Sequence, residues 1–119
     1  MKKENIVRDK SYQFSLRVIQ LSRTLIKNEH EYVISKQILK SGTSIGANIE
    51  EAIGAQSRRD FKAKLSISYK EARETHYWLR LIRDSKLIKP ELANSLIENC
   101  DELLKILGSI IKTLKNPHS

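Results

Sequence analysis

The sequence predicts an all-α protein, an antiparallel up-down-up-down four-helix bundle. The 119 residues include only two prolines and four glycines, whereas the helix formers Ala, Leu, Glu, Lys and Arg are plentiful. Apolar residues recur every three or four positions in four long segments, and the connections between these segments are short. Short connections favour helices that run antiparallel to their neighbours. We expect one domain over residues 1–119.

The first two predicted helices cover residues 11–28 and 35–55. A 4-3-4 spacing defines the apolar side of the first, at Phe14, Val18, Leu21 and Leu25. The second is expected to begin near Ser35, whose hydroxyl suits an N-cap, and to carry Ile38, Ile45 and Ile49 inward.

The last two predicted helices cover residues 58–85 and 90–115. Ser57 followed by Asp60 has the form of a helix start, and Pro90 suits the first position of a helix. The third helix keeps a regular 4-3 rhythm of apolar and small residues at Phe61, Leu65, Ser68, Ala72, Thr75, Leu79 and Ile82. The fourth repeats the same pattern at Ala93, Leu96, Cys100, Leu103, Leu107, Ile110 and Leu114.

Small residues are concentrated in the second helix, between positions 41 and 48. Gly42 and Gly46 lie one turn apart on one face, and each costs about 1 kcal/mol in helix propensity relative to Ala. We therefore expect a neighbouring helix to approach closely here. The small residues Ser68, Ala72 and Thr75 make the third helix the natural candidate.

The charge of the chain points to anionic partners. The net charge is +8 with an isoelectric point of about 9.7, and residues 57–89 contain ten Lys or Arg against four Asp or Glu. The single cysteine, Cys100, forms no internal disulfide, which fits a reducing compartment. Since no apolar segment follows the N-terminal lysines and no long apolar run occurs, we expect a cytoplasmic protein that does not enter a membrane.

One side of the third helix forms a basic face. Its members follow a 3-4 spacing: Arg59, Lys62, Ser66, Tyr69, Arg73, His76, Arg80 and Arg83. At 1.5 Å per residue this face extends roughly 36 Å, enough to follow several phosphates of a nucleic acid. The rings of Tyr69 and His76 are candidates for stacking on unpaired bases. The alternative is a solvated face that provides solubility, although the absence of any acid from it favours a binding role.

A second stripe on the third helix, the Trp78 stripe, consists of Ile67, Glu71, Glu74, Trp78 and Leu81. Two interpretations remain open. In the first interpretation, the two carboxylates lie at an edge of the bundle and their aliphatic stems cover apolar surface. Alternatively, the stripe is a subunit interface in which Glu71 and Glu74 meet Arg or Asn of another copy and Trp78 is the anchor.

The sequence favours no catalytic or metal site. A di-iron bundle needs Glu-x-x-His pairs, whereas this chain has Glu71 and Glu74 without such a histidine, and Glu50 and Glu51 add no ligand pattern. The three histidines are far apart along the bundle, at His30, His76 and His118. Cys100 lies on the apolar side of the fourth helix and is predicted to be an inert packing residue. We therefore predict no catalytic residues, no metal and no cofactor.

A motif over the second and third helices resembles a known family. It comprises Gln37, Lys40-Ser41-Gly42-Thr43-Ser44-Ile45-Gly46-Ala47-Asn48-Ile49, Glu51-Ala52, Asp60-Phe61, Lys70-Glu71-Ala72, Glu74-Thr75 and Tyr77-Trp78-Leu79. It is similar to the bacterial four-helix-bundle family that includes proteins encoded in 23S rRNA intervening sequences, and to the accessory variability proteins of diversity-generating retroelements. The resemblance implies a barrel-like homopentamer without known enzymatic activity. For the retroelement relatives it implies a basic surface that engages nucleic acid and a reverse transcriptase.

The resemblance also assigns individual positions. The family's polar positions match Ser41, Ser44, Asn48, Glu51 and Glu74, and its core positions match Ile45, Ile49, Phe61 and Leu79. Together with Glu71 and Trp78, the polar set suggests a network within or between subunits, because a buried Asn or Glu must be hydrogen-bonded. Lys40 stands where Arg is common and Gly42 where Ala is common, and Lys40 cannot reproduce a bidentate Arg contact.

These observations lead to one functional prediction and one alternative. The prediction is a non-enzymatic homo-oligomer, pentameric by resemblance, that binds RNA or DNA phosphates through the basic face with low sequence specificity. A reverse transcriptase or another protein is a further candidate partner. The alternative is an interaction scaffold whose basic face docks an acidic protein.

Overall fold

The computed structural model describes residues 2–115, which form four helices and no strand. The helices are α1 (Lys2–Glu29), α2 (Val33–Ile53), α3 (Arg58–Asp84) and α4 (Pro90–Lys115). They pack in chain order around a square, with α4 returning to α1, in a bundle of 50 × 22 × 19 Å. This confirms the predicted all-α four-helix bundle. His118 lies outside the described residues.

The apolar sides of the four helices meet in one continuous core, as their periodicity predicts. Its largest fully buried side chains are Phe14, Leu25, Ile38, Ile45, Ile49, Leu65, Leu79, Ile82, Leu96, Leu103, Leu107 and Ile110. Phe61, a predicted core position, is half-buried and packs against this cluster. Among residues 2–115, no helix is both long enough and apolar enough to span a membrane.

The start of α1 corrects the prediction that the first helix begins at position 11. The helix begins at Lys2, and Val7 is completely buried one heptad before Phe14. Lys3 also anchors this segment, because its Nζ donates to Ser109 Oγ of α4 at 2.7 Å. The first turns contain only the adjacent apolar residues Ile6 and Val7, which give no helical spacing for a periodicity analysis.

The start of α2 also differs from the prediction. The helix begins at Val33, and the Glu31 carboxylate, rather than the Ser35 hydroxyl, accepts hydrogen bonds from the backbone N–H groups of Ile34 and Ser35. Ser35 is instead buried inside the helix, where its carbonyl accepts a hydrogen bond from Ser22 Oγ at 3.1 Å. The predicted starts of the other two helices are confirmed: Ser57 caps α3 by accepting from Asp60 N, and Pro90 is the first residue of α4.

The glycines of α2 face α1, not α3 as predicted. A Cβ built on Gly42 would lie 2.7 Å from Val18 Cγ1, and one on Gly46 would lie 3.3 Å from Ser11 Oγ. Close approach to α1 therefore requires Gly42.

The small residues of α3 do contact α2, on the side of α2 that carries Ser41 and Ile45. They do so through hydrogen bonds rather than through contacts with the glycines. Ser68 Oγ donates to the Ile45 carbonyl at 2.8 Å, and Thr75 Oγ1 donates to Ser41 Oγ at 3.0 Å. These two bonds satisfy buried hydroxyls and fix the register of α2 against α3.

Candidate nucleic-acid interface

The basic face of α3 lies on the side of the helix that borders α4. Its central rings are half-buried at this border, where Tyr69 packs beside Gly108 and His76 faces Asp101. The face is therefore shared between two helices, and its electrostatics depend on residues of α4 as much as on those of α3.

The C-terminal part of the basic face, which we call the paired half, consists of His76, Arg80 and Arg83. His76 Nε2 lies 2.9 Å from Asp101 Oδ1, and Arg80 Nε donates to His76 Nδ1 at 3.1 Å. Both ring nitrogens are already occupied by protein groups.

Arg83 completes the paired half. Its Nε lies 2.9 Å from Asp84 Oδ1, and its Nη1 donates to Asn94 Oδ1 of α4 at 3.2 Å. The hydrogen bond with Asp84 raises the pKa of Arg83 and lowers the pKa of Asp84. The two groups therefore stay charged and partly neutralise each other on the surface.

The N-terminal part, which we call the open half, consists of Arg59, Lys62 and Arg73 together with Lys112 and Lys115 of α4. The five cations have no ion pair within residues 2–115, whereas His76 and Arg83 of the paired half each contact a carboxylate. Two of the five cations, Lys112 and Lys115, line a shallow cavity of about 330 Å³ between α3 and α4. Arg73 lies at the boundary of the two halves, since it lines a second cavity together with His76, Arg80 and Asp101.

Tyr69 forms the wall of this cavity together with Ser66, Gly108 and Ile111. A Cβ on Gly108 would lie 3.5 Å from Tyr69 Cε2, so the small residue on α4 makes room for the ring. The ring packs against the hydrophobic core and is half-buried. Such a position suits a fixed wall better than a free platform on which a base stacks.

Sequence reasoning missed three residues of this surface: Asp101, Lys112 and Lys115. The signal is a stripe on α4 that includes Asp101, Gly108, Lys112 and Lys115, spaced 7-4-3 along the side of the helix next to the basic face. The periodicity of α3 alone predicts none of them, because the pairing of Asp101 with His76 depends on the register between two helices.

The Trp78 stripe lies on the opposite side of α3, next to α2. Trp78 packs against the core and its Nε1 donates to Glu74 Oε2 at 3.1 Å, while Tyr77 meets the indole edge-on at a centroid distance of 5.2 Å. Burial, and to a smaller extent the charge of Glu74, raise the pKa of Glu71. The positive charges of Lys40 and Lys70 act in the opposite direction. The stripe thus places two carboxylates close together on a partly apolar surface.

The polar positions of the family motif are not one hydrogen-bonded network within the subunit. Ser41 is buried and bonded to Thr75, but Ser44 Oγ donates to the Lys40 carbonyl of its own helix and Asn48 Nδ2 donates to the Ser44 carbonyl. Glu51 is exposed and has no hydrogen bond within residues 2–115.

Cys100 is buried, as the sequence predicts. Its Sγ donates to the Ala72 carbonyl at 3.2 Å, and burial raises the pKa of the thiol to about 12. The thiol therefore stays protonated at neutral pH and packs rather than reacts. In the described part of the chain, no three His, Cys, Asp or Glu side chains are grouped so that they could hold a metal ion.

The fold and the surface together define a small all-α bundle whose most distinctive chemistry is a basic face shared by α3 and α4. A family model described as 23S rRNA-intervening sequence protein matches residues 3–109. The chain therefore belongs to the 23S rRNA-intervening sequence protein family, as the motif of α2 and α3 predicts.

A solved structure supports this assignment. It is a 1.70 Å crystal structure from Bacteroides thetaiotaomicron VPI-5482, described as a protein with unknown function from the S23 ribosomal protein family. It shares 51% sequence identity with this chain at a TM-score of 0.90, over 92% of this chain and 98% of its own. No curated protein matches the chain.

Proposed function

We propose that this protein is a non-enzymatic, homo-oligomeric bundle that binds RNA or DNA through the basic face, with the open half as the principal contact. The observation that carries the proposal is the set of five cations of the open half that have no carboxylate partner within residues 2–115, two of which line the α3–α4 cavity. Unpaired Lys and Arg side chains release counterions when they neutralise phosphates, which is the main source of sequence-independent affinity.

The chemistry of this surface favours the nucleic-acid backbone over the bases. Four of the five cations of the open half are exposed, and Tyr69 is held against the protein. Phosphate contacts fix position but carry no sequence information. Low sequence specificity therefore follows from the proposed contact.

Self-association belongs to the same proposal. The resemblance implies a homopentamer, and several copies in one particle would present several open halves to one polynucleotide. Linked sites bind with higher avidity than a single site does, provided that their spacing matches the ligand. We place this particle in the cytoplasm, where a buried, reduced Cys100 is compatible with the redox conditions.

The test is a titration of labelled single-stranded RNA, duplex RNA and duplex DNA over a salt series. The proposal predicts binding to polynucleotide near physiological salt, with an affinity that falls steeply as salt increases. Lys62→Glu combined with Lys112→Glu removes the binding while the helix content by circular dichroism is unchanged. The matched control is Lys27→Glu with Lys36→Glu, which makes the same charge change away from the basic face.

An acidic protein remains the second candidate partner, and the paired half is the observation that favours it. His76 and Arg83 already contact carboxylates of the chain itself at 2.9 Å. The resemblance adds a reverse transcriptase as a further candidate protein partner. If the titration shows no polynucleotide binding above background, the nucleic-acid proposal is wrong and an acidic protein becomes the leading candidate.

A further inference from the structure

The α3–α4 cavity of the open half contains hydrogen-bond donors that the chain itself does not use. Ser66 of α3 and Lys112 and Lys115 of α4 line it, beside an apolar wall of Tyr69 and Ile111. In the described part of the chain, no hydrogen bond or ion pair joins Ser66, Lys112 or Lys115 to another group. The hydroxyl and the two ammonium groups can all donate, and the ammonium groups are cationic. The cavity therefore suits an anion that accepts several hydrogen bonds.

Further cations lie near this cavity on both helices. Lys62 precedes Ser66 by one turn of α3. Arg58 reaches α4 at the same end of the bundle, because its Nη2 donates to the Leu114 carbonyl at 3.0 Å. Lys105 lies farther round α4, where it lines a separate cavity toward α1. Positive charge therefore surrounds the cavity from α3 and from α4, which favours an anionic ligand.

The carboxylates nearest to the cavity along the two helices lie on other faces or are engaged by other groups. On α4, Asp101 contacts His76 at 2.9 Å and Glu102 pairs with Lys10 of α1 at 2.9 Å. On α3, Asp60 falls outside the 3-4 spacing of the basic face. Among residues 2–115, no carboxylate and no member of the Trp78 stripe lines the cavity. The lining therefore contains no described group that would repel an anion.

The size of the cavity limits the ligand. Sites for small molecules have volumes of roughly 300–1,000 Å³. With about 330 Å³, this cavity is at the lower end of that range and accommodates about one nucleotide. Tyr69 is held in place beside Gly108, and Ile111 continues the same wall. The wall suits the apolar surface of a nucleoside, and the exposed lysines suit its phosphate.

The donors match a phosphate at the end of a strand better than a phosphate inside it. An internal phosphate is a diester with a single negative charge and a pair of non-bridging oxygens. A terminal monoester has three such oxygens and a charge of about −1.5 to −2 at pH 7. Each of the three donor side chains can bond one of these oxygens, and charge-assisted bonds are stronger than neutral ones. An end nucleotide also leaves the cavity through one chain only, whereas an internal nucleotide must leave it on both sides.

We infer that the α3–α4 cavity binds the terminal nucleotide of a strand that ends in a phosphate monoester. Ser66, Lys112 and Lys115 surround the phosphate, and the nucleoside lies against the wall of Tyr69 and Ile111. This inference rests on the nucleic-acid binding in the proposed function and names the part of the strand that the open half selects. The other cations of the open half contact the following phosphates. Selection of an end is compatible with low sequence specificity, because an apolar wall accepts any base.

The test compares strands that differ only at their ends. A short single-stranded RNA of one sequence is prepared with a 5′-phosphate, with a 3′-phosphate, and with hydroxyls at both ends. Each strand carries its fluorophore at an internal position, so that both ends are accessible. Fluorescence anisotropy measures the affinity of each strand near physiological salt, and the two phosphorylated strands show which end the cavity takes.

Gly108→Leu fills the cavity without changing any charge. A Cβ at position 108 would lie 3.5 Å from Tyr69 Cε2, an ordinary van der Waals distance, and Leu is a better helix former than Gly, so the fold should tolerate it. Ala47→Leu is the matched control, because Ala47 is exposed on α2, which does not contact α4. Ser66→Leu repeats the test from the α3 side if Gly108→Leu loses helix content by circular dichroism.

The expected result is a preference for one kind of end that disappears when the cavity is filled. In the wild type and in Ala47→Leu, at least one phosphorylated strand should bind about tenfold more tightly than the hydroxyl-ended strand. Gly108→Leu should bind all the strands with about the affinity of the wild type for the hydroxyl-ended strand, because the five cations of the open half are retained.

Other results overturn the inference in distinguishable ways. Equal binding of all the strands by the wild type would remove the selection of an end, although the proposed function would stand. A preference that persists in Gly108→Leu would come from the added charge and not from the cavity. A uniform loss of affinity for every strand in Gly108→Leu would assign the cavity to internal nucleotides. No binding of any strand by the wild type would overturn the proposed nucleic-acid binding together with this inference.

Discussion

Both halves of the basic face carry Lys or Arg side chains on α3, but the environments of these side chains differ. Lys62 and Arg80 both follow the stripe that borders α4, yet Lys62 has no ion pair in the described chain, whereas Arg80 contacts a histidine held by Asp101. The difference arises from α4, which presents Lys112 and Lys115 to one half and Asp101 to the other. A row of like charges on one helix therefore describes a binding surface only after the neighbouring helix is known.

The largest difference is expected from matched charge reversals. Lys62→Glu with Lys112→Glu in the open half should lower the affinity for duplex RNA by about 100-fold near physiological salt, because several phosphate contacts are lost or become repulsive. Arg80→Glu with Arg83→Glu in the paired half should lower it by less than about 10-fold. Fluorescence anisotropy measures both. Equal losses would remove the distinction between the halves.

Removal of the acid from the paired half should make it resemble the open half. Asp101→Asn releases His76 and removes one negative charge, so we expect affinity for duplex RNA to rise about three- to tenfold. Glu102→Gln removes the same charge from α4, but its carboxylate pairs with Lys10 on the α1 side. An equal gain in both variants would indicate a net-charge effect rather than local release.

Single substitutions by alanine compare the two halves through the salt dependence of the affinity for RNA. Lys115→Ala should reduce the slope of log affinity against log salt by about 1, as expected for one lost phosphate contact. Arg83→Ala should leave the slope almost unchanged, because Asp84 and Asn94 already hold that side chain. A larger change in slope for Arg83→Ala would place phosphate contacts in the paired half.

The smallest effect is expected at Tyr69. Tyr69→Phe keeps the ring that walls the cavity, so binding to single-stranded RNA should change by less than about twofold. Tyr69→Ala should lower the free energy of unfolding by about 2–4 kcal/mol, because the ring packs against the core. Thermal melting and anisotropy separate the two effects. A less stable Tyr69→Ala together with unchanged RNA affinity of Tyr69→Phe would support the role of the ring as a fixed wall of the cavity. A large loss of affinity in Tyr69→Phe would contradict that role.

The fold was accessible from sequence because its signals are local. The 4-3 spacing of Phe61 to Ile82, the Ser57 cap and Pro90 each act within one helix, and the structure has them as predicted. Val7 was missed because the adjacent pair Ile6 and Val7, among charged residues, gives no helical spacing. The glycines were assigned to the wrong neighbour because spacing shows that Gly42 and Gly46 share a face but not which helix that face meets.

The candidate site was harder to predict from the sequence, because part of it depends on contacts between helices. The stripe on α3 identifies which cations share a side, but the register that brings Asp101 to His76 and Gly108 to Tyr69 depends on packing between α3 and α4. The Arg83–Asp84 pair is local to α3, whereas the contact of Asp101 with His76 is tertiary. The second part of the division could therefore be found only with both helices in place.

The most direct test of the open half is lysine footprinting of the wild-type protein. Lysines are acetylated with and without saturating duplex RNA, and their modification rates are compared by mass spectrometry. Our account predicts protection of Lys62, Lys112 and Lys115 at the open half, with Lys86 and Lys89 beyond the paired half unprotected. Protection of Lys86 and Lys89, with Lys62 and Lys112 unaffected, would contradict it.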